Sequence, residues 1–313
     1  MRSISAAEID AALTFPSLID ALADAFLGRF LAPTRHHHVI DRPGGAPATH
    51  LLMPAWTTSD DYIGVKIVNV FPDNGKLGLP AVLGTYVLQS GKTGDTLAVL
   101  DGSRLTPWRT AAASGLATRY LAREDARKLL IVGAGALAPF LARAHASQRP
   151  IDSIAIWNHR PEGARKTAEA LNALGFRAEA VDHLRDAVGE ADIISCATLS
   201  QTPLISGAWL KPGQHLDLVG AFNMSMREVD DATLRRARIF IDTPAASSEG
   251  GEVAQGLRSG AIQPSDVVGD LAALVAGAPG RGAADEITLF KSVGAAIEDL
   301  AAAILVFEKS GGE

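Results

Sequence analysis

Apolar residues near the start of the chain recur at helical spacing. Ile9, Leu13, Leu18, Ile19, Leu22 and Phe26 share one face of a 3.6-residue repeat, which predicts one or two opening helices over residues 3–30. Ser5 or Ser17 is the expected cap, because a serine hydroxyl accepts from the free N–H groups of a first turn. From residue 37 to residue 100 the pattern changes to short runs with a period of two. THLLMPAW, YIGVKIVNVF, AVLGTYVLQ and TLAVLDG read as strands punctuated by Gly, Pro, Asn and Asp, so a mostly antiparallel sheet is expected. A helix is predicted over 109–121, where Ala111, Ala112, Ala113 and Gly115 leave room for another backbone or a ligand.

Beyond residue 127 strands and helices alternate. KLLIVGAG is a buried strand entering a glycine turn, and APFLARAHASQ is the helix leaving it. SIAIWN, a helix through 174, a short strand around 178–181, a helix near 184–189, and then ADIISCAT, HLDLVGAF and ARIFIDT follow. This alternation implies right-handed crossovers and a parallel sheet covered on both faces. The stretch ITLFKSVGAAIEDLAAAILVFEKS reads as one apolar helix that packs against the first domain, since such a helix needs a partner surface. GAPGRGAAD at 277–285 reads as a loop. The predicted class is α/β, with a Rossmann-type doubly wound parallel sheet over residues 116–286. A mostly antiparallel α+β domain occupies residues 1–115 and is completed by 287–313.

Composition narrows the class. At 313 residues and 47% apolar the chain is long enough for two ordinary cores. A net charge of -6 with interspersed signs offers no basic surface, so no nucleic-acid partner is expected. Glu8 and Asp10 interrupt the N-terminus before an apolar run develops, so no signal peptide is read there. No stretch approaches the roughly 20 apolar residues that span a bilayer, and no membrane partner is expected. Cys196, the lone cysteine, fits a reducing compartment, and a cytoplasmic location is expected. At the end of an apolar strand it reads as a packed residue rather than a nucleophile.

The clearest chemical signal is Gly133-x-Gly135-x-x-Ala138 between a predicted strand and a predicted helix. Gly133 permits the tight turn, Gly135 lets backbone N–H groups reach a pyrophosphate, and Ala138 allows close helix packing. Ala136 and Leu137 complete this dinucleotide turn, and the helix N-terminus adds its dipole. The bland alternative is a loop that only needs positive φ. The second strand ends in Trp157-Asn158-His159-Arg160, where NAD sites usually carry Asp or Glu. A carboxylate there would repel a 2′-phosphate, whereas Arg160, together with His159, could pair with it, which favours NADPH with NADH as the alternative cofactor. Arg160 could instead be a solvated helix-entry residue.

Lys66 alternates onto one strand face with Gly64, Val68 and Val70, where a charge is costly without a partner. It could equally be an edge charge that blocks aggregation. Arg109 could grip a carboxylate with its two-pronged guanidinium, or lie on the surface, and Arg35 could be a solvated loop charge. His36, His37 and His38 point to alternate faces of extended chain, so no metal is expected there.

LLMPAW, GVKIVNVFPDN, SGKTGDTLAVLDGSRLTPWRTAAASGLATRYLA, VGAGALA, IWNHR, the segment ending in MREVDD, and ITLFKSVGAAIEDLAAA together resemble the ornithine cyclodeaminase and μ-crystallin family. The resemblance spans nearly the whole chain. It implies a homodimer whose N-terminal domain, with the C-terminal helix, binds substrate and forms the interface. It further implies that Lys66 and Arg109 contact the substrate carboxylate with help from Arg35, and that Thr110 holds cofactor. Ala197, Thr198, Leu199, Val219, Gly220 and Ser292 would line the dinucleotide, and Asn158 and Arg160 would occupy the region where NADPH-using members read the 2′-phosphate, their usual Asn-Arg-Thr order being displaced here by His159.

One departure bears on the reaction. Cyclodeaminases of this family resemble one another in an acidic residue after the sixth strand, but the corresponding Gly220-Ala221-Phe222-Asn223-Met224-Ser225 has no carboxylate. Deamination with ring closure needs a proton shuttle at the amino nitrogen. Reducing a cyclic imine carboxylate needs mainly a grip on the carboxylate and an aimed nicotinamide. Among the activities the family resemblance implies, reduction of Δ1-pyrroline-2-carboxylate or Δ1-piperideine-2-carboxylate, to proline or pipecolate, is therefore the first expectation, with Lys66 also the candidate proton relay. The alternatives are an ornithine cyclodeaminase or alanine dehydrogenase-like enzyme, and a non-catalytic protein that holds NADPH and a small ligand.

Overall fold

The computed structural model describes residues 1–311 and divides into two compact units. One comprises Met1–Thr110 with the chain from Ala295 onward, and the other Ala111–Gly294. The sequence reading drew the boundaries at 115/116 and 286/287.

In the first unit Ser5 caps the helix Ala6–Ala12 through a reciprocal box with Glu8. Thr14, rather than Ser17, caps the next helix, Phe15–Asp24: its hydroxyl accepts from the Ser17 N–H. The sheet runs in the order Arg2–Ile4, Thr96–Asp101, Val82–Ser90, Tyr62–Val70, Ala48–Thr57, Phe30–Leu31, with His36–Ile40 also on Ala48–Thr57. Every pairing is antiparallel except that of Arg2–Ile4, a strand the sequence reading did not find. The helix Ala296–Lys309 packs on one face, burying Leu300, Ala303, Val306 and Phe307 at helical spacing. The opposite face exposes Leu31, Trp56, Ile63 and Leu83.

In the second unit eight parallel strands lie in the order Ala178–Ala180, Ser153–Trp157, Lys128–Val132, Ile193–Cys196, His215–Leu218, Thr288–Lys291, Arg238–Ile241, Val267–Asp270. Chain order reverses between Lys128–Val132 and Ile193–Cys196, which makes the C-terminal ends of those strands the topological switch point. The alternating strands predicted from the sequence are all present. Cys196 is buried in the core.

Two predicted elements need correction. The stretch from residue 287 is not one helix: Thr288–Lys291 is an interior strand paired on both sides, and only Ala296–Lys309 is helical. Four consecutive buried residues gave no alternation to separate strand from helix. The helix expected from 109 begins at Gly102, where Asp101 Oδ1 accepts from the Arg104 N–H, and it accommodates Pro107 inside its second turn.

A buried polar chain ties the helix Ala138–Ala146 to the parallel sheet. His145 Nδ1 lies 2.7 Å from Thr118 Oγ1, and its Nε2 lies 3.1 Å from Asp217 Oδ2, which also accepts from Ser195 Oγ at 2.6 Å. Burial pushes the Asp217 pKa up, but the hydrogen bonds from His145 and Ser195 outweigh it and leave it lowered. The aspartate stands between the serine and the histidine, so this is a structural link and not a nucleophile–base relay.

Candidate functional site

Lys66 occupies the middle of Tyr62–Val70 and points with Gly64 and Val68 into the interior of the first unit. Its neighbours across the sheet are Met53 and Tyr86, so it is not an edge charge. It is 1% exposed, and its ammonium meets Asp299 Oδ1 at 2.8 Å and Oδ2 at 2.7 Å. Arg109, 7% exposed, reaches Glu298 Oε2 at 2.7 Å through Nη1 and Asp299 Oδ1 at 3.1 Å through Nε. The structure thus brings the two predicted cations together and balances them with two carboxylates from the C-terminal helix. Burial, reinforced by Arg109, depresses the Lys66 pKa to about 8 in spite of Asp299.

Tyr86 completes the cluster. It is fully buried, and a Cβ on Gly64 would lie 2.1 Å from its hydroxyl, so glycine is required there to admit the phenol. Burial and then the Asp299 charge hold that phenol well above its ordinary pKa. Arg35 lies half-buried in the segment before His36–Ile40, and Thr110 is half-buried on the helix Gly102–Leu121. Sequence reasoning missed Glu298, Asp299 and Tyr86. Two adjacent carboxylates inside an otherwise apolar helix were the available signal, because burial there demands cationic partners.

The second unit presents the glycine turn at its switch point. Gly133 has φ of 109°, and a Cβ there would come 2.6 Å from Ala197 O, so both backbone conformation and space demand glycine. A Cβ on Gly135 would meet nothing within 4 Å, leaving the turn open on the side a pyrophosphate would approach. No side chain caps the nine-residue helix Ala138–Ala146 that follows, so its first-turn N–H groups suit an anion. Ala136 is exposed and Leu137 half-buried beside them. These features fit a dinucleotide.

At the end of the next strand Asn158 Nδ2 donates to Arg160 O at 3.0 Å, shaping the turn that carries the exposed His159 and Arg160 into the helix Pro161–Ala173. Beyond Ile193–Cys196, Ala197 and Thr198 are half-buried while Leu199 is 70% exposed. Thr198 donates from N and Oγ1 to Glu228 Oε1, and Gly220, next to the buried Val219, donates to Glu228 Oε2. Burial, with Glu252 beside it, raises the Glu228 pKa to about 7. Ser292 donates to Asp242 at 2.9 Å. A surface cavity of about 760 Å³ lies elsewhere, against Lys128, Ser153 and Ala178 at the N-terminal ends of their strands.

The sequence of residues 6–313 matches the ornithine cyclodeaminase/mu-crystallin family. The chain belongs to that family. Within the ornithine cyclodeaminase/mu-crystallin family it is similar to the Delta(1)-pyrroline-2-carboxylate reductase of Paracoccus denitrificans, at 42% identity over 82% of each chain. Among solved structures it resembles Thermococcus litoralis Delta(1)-pyrroline-2-carboxylate reductase in complex with NADH and L-proline, with a TM-score of 0.93 and 33% identity over 99% of this chain and 97% of that one. An archaeal alanine dehydrogenase dimer with bound NAD has a TM-score of 0.92 and 29% identity, covering 99% and 96% respectively.

Proposed function

We propose that this protein reduces a cyclic imine carboxylate, Δ1-pyrroline-2-carboxylate or Δ1-piperideine-2-carboxylate, to the cyclic amino acid. The observation that carries the reading is the buried Lys66–Arg109 pair, two cationic donors fixed by Asp299 and Glu298 in a fold whose second unit has a dinucleotide turn. An ammonium has three N–H donors, so Lys66 can hold Asp299 and also accept a ligand carboxylate as partner. The cluster is charge-balanced by itself, which suits an iminium carboxylate whose own charges cancel. A reduced nicotinamide supplies hydride to the C=N carbon when bound. In this reading Lys66 and Arg109 orient the ring through its carboxylate, and Lys66 exchanges a proton at the ring nitrogen. The stretch Gly220–Ser225 supplies no carboxylate for deamination, which weighs against the cyclodeaminase alternative.

The cofactor is a nicotinamide dinucleotide, and Arg160 favours NADPH over NADH. Arg160→Ala is expected to weaken NADPH binding by about tenfold, the loss of one charge-assisted contact, and to leave NADH within about twofold. Fluorescence titration with both cofactors checks this, and equal effects on the two would remove Arg160 from 2′-phosphate recognition. The exposed apolar residues on one sheet face, Leu31, Trp56 and Ile63 side by side on neighbouring strands and Leu83 further along, support a homodimer, because such a face seeks a partner surface.

The depressed Lys66 pKa gives a pH dependence. Below about pH 8 the side chain is protonated and can hold a carboxylate, and above it the charge is lost. Inhibition by pyrrole-2-carboxylate, whose ring nitrogen does not titrate in this range, is expected to weaken about tenfold per pH unit above that point. A Ki that stays flat to pH 10 would exclude Lys66 as the anchor.

The activity itself is tested by absorbance at the reduced-nicotinamide band with imines and amino acids in turn. Oxidation of cofactor with a cyclic imine carboxylate alone is the expected result. Ammonia released from ornithine without net oxidation would support the cyclodeaminase instead.

A further inference from the structure

Glu228 is fully buried, yet its carboxylate is committed to the backbone of two loops that leave adjacent strands of the second unit. Oε1 accepts from Thr198 N at 2.7 Å and Thr198 Oγ1 at 2.9 Å, after the strand Ile193–Cys196. Oε2 accepts from Gly220 N at 2.9 Å and Ala221 N at 3.3 Å, after the strand His215–Leu218. The contact is close: a Cβ on Gly220 would stand 2.4 Å from Glu228 Oε1 and 2.2 Å from Thr198 O. The Glu228 main chain is anchored as well. Its carbonyl accepts from Leu204 N and Ile205 N, and its N–H donates to Glu252, which pairs with Lys291 at 3.2 Å.

A buried carboxylate is expensive, and packing these strands together would require only apolar groups. Its four donors all belong to the two loops, so what the carboxylate adds is a fixed spacing between them. In a doubly wound sheet a dinucleotide straddles the switch point, with its adenosine half over the glycine turn and the second strand, and its other half over the strands beyond the reversal. Those strands are the two that Glu228 joins.

We propose that Glu228 is a positioning residue that clamps the Thr198 and Gly220 loops to receive the nicotinamide half of the dinucleotide, without itself touching the cofactor. The inference rests on the dinucleotide reading of this unit. Glutamine cannot substitute, because its amide has one acceptor oxygen and a donor nitrogen, so either Thr198 or the Gly220–Ala221 pair faces another donor.

The test compares NADPH with 2′,5′-ADP, which carries only the adenosine-side groups, in titrations of the wild type, Glu228→Gln and Glu228→Asp. Glu228→Gln is expected to lose about tenfold in NADPH affinity, the effect of disrupting one or two hydrogen bonds to a charged group, while 2′,5′-ADP stays within about twofold. The KM for NADPH should rise more than kcat falls. Glu228→Asp, which keeps the charge but shortens the reach, should fall between. If the Gln variant does not fold, the Asp variant carries the same comparison. Equal losses for NADPH and 2′,5′-ADP, or no loss for either, would overturn the clamp. A wild type that binds neither of these nor NADH would instead remove the dinucleotide reading on which the clamp rests.

Discussion

Lys66→Met is expected to lower kcat/KM for the cyclic imine by roughly 10²- to 10³-fold, with NADPH affinity unchanged, because methionine keeps the side-chain volume but removes the charged donor. The substitution has a second consequence. Asp299, fully buried, would be left with Arg109 as its remaining cation among the pairs seen here, at a stability cost of about 3 kcal/mol or more for a broken buried pair. The two effects separate in Lys66→Met/Asp299→Asn. Removing the orphaned charge should recover much of the lost melting temperature, and turnover should stay low. Steady-state kinetics and thermal unfolding of the single and double variants measure both. Wild-type turnover in Lys66→Met would take the lysine out of the mechanism.

Substitution of the two turn glycines is expected to divide stability from binding. Gly133→Ala places a Cβ 2.6 Å from Ala197 O on a backbone with φ of 109°. A strained residue of this kind costs on the order of 1–3 kcal/mol. The turn must also shift, so NADPH affinity should fall on the order of 100-fold. At Gly135 a Cβ meets no protein atom within 4 Å and φ is not left-handed. Gly135→Ala should therefore melt close to the wild type and still lose affinity, since the space it fills is the space a pyrophosphate needs. Calorimetric titration and thermal unfolding distinguish the cases. Full NADPH affinity in Gly135→Ala would mean that no phosphate approaches the turn there.

The elements that the sequence announced were those whose periodicity a single strand or helix determines. YIGVKIVNVF put Lys66 on one strand face with Gly64 and Val68 because alternation is a local property, but whether that face was buried or at an edge stayed open until the fold was known, and KLLIVGAG announced a strand and its turn because the glycines have a backbone function. What the chain hid depends on partners distant in sequence. The segment Thr288–Lys291 is buried on every side, and its strand character follows from pairing with His215–Leu218 and Arg238–Ile241. Arg109 and Lys66 were legible as candidate cations, yet their neutralisation by Glu298 and Asp299 joins residues on opposite ends of the chain. Glu228 was hidden for a similar reason: within MREVDD it is one carboxylate among three acidic residues, and only the folded loops distinguish it from Asp230, which caps the helix Asp231–Arg236, and Asp231, which pairs with Arg227. Nothing in AVLGTYVLQ sets Tyr86 apart, and its place in the site follows from the register that pairs it with Lys66.

The fate of the hydride is the most direct test of imine reduction. With dinucleotide deuterated at the transferable C4 position and Δ1-pyrroline-2-carboxylate as acceptor, mass spectrometry of the product should find proline carrying one deuterium at the carbon that was the imine carbon. Proline without deuterium, or no proline while the dinucleotide remains reduced, would contradict it.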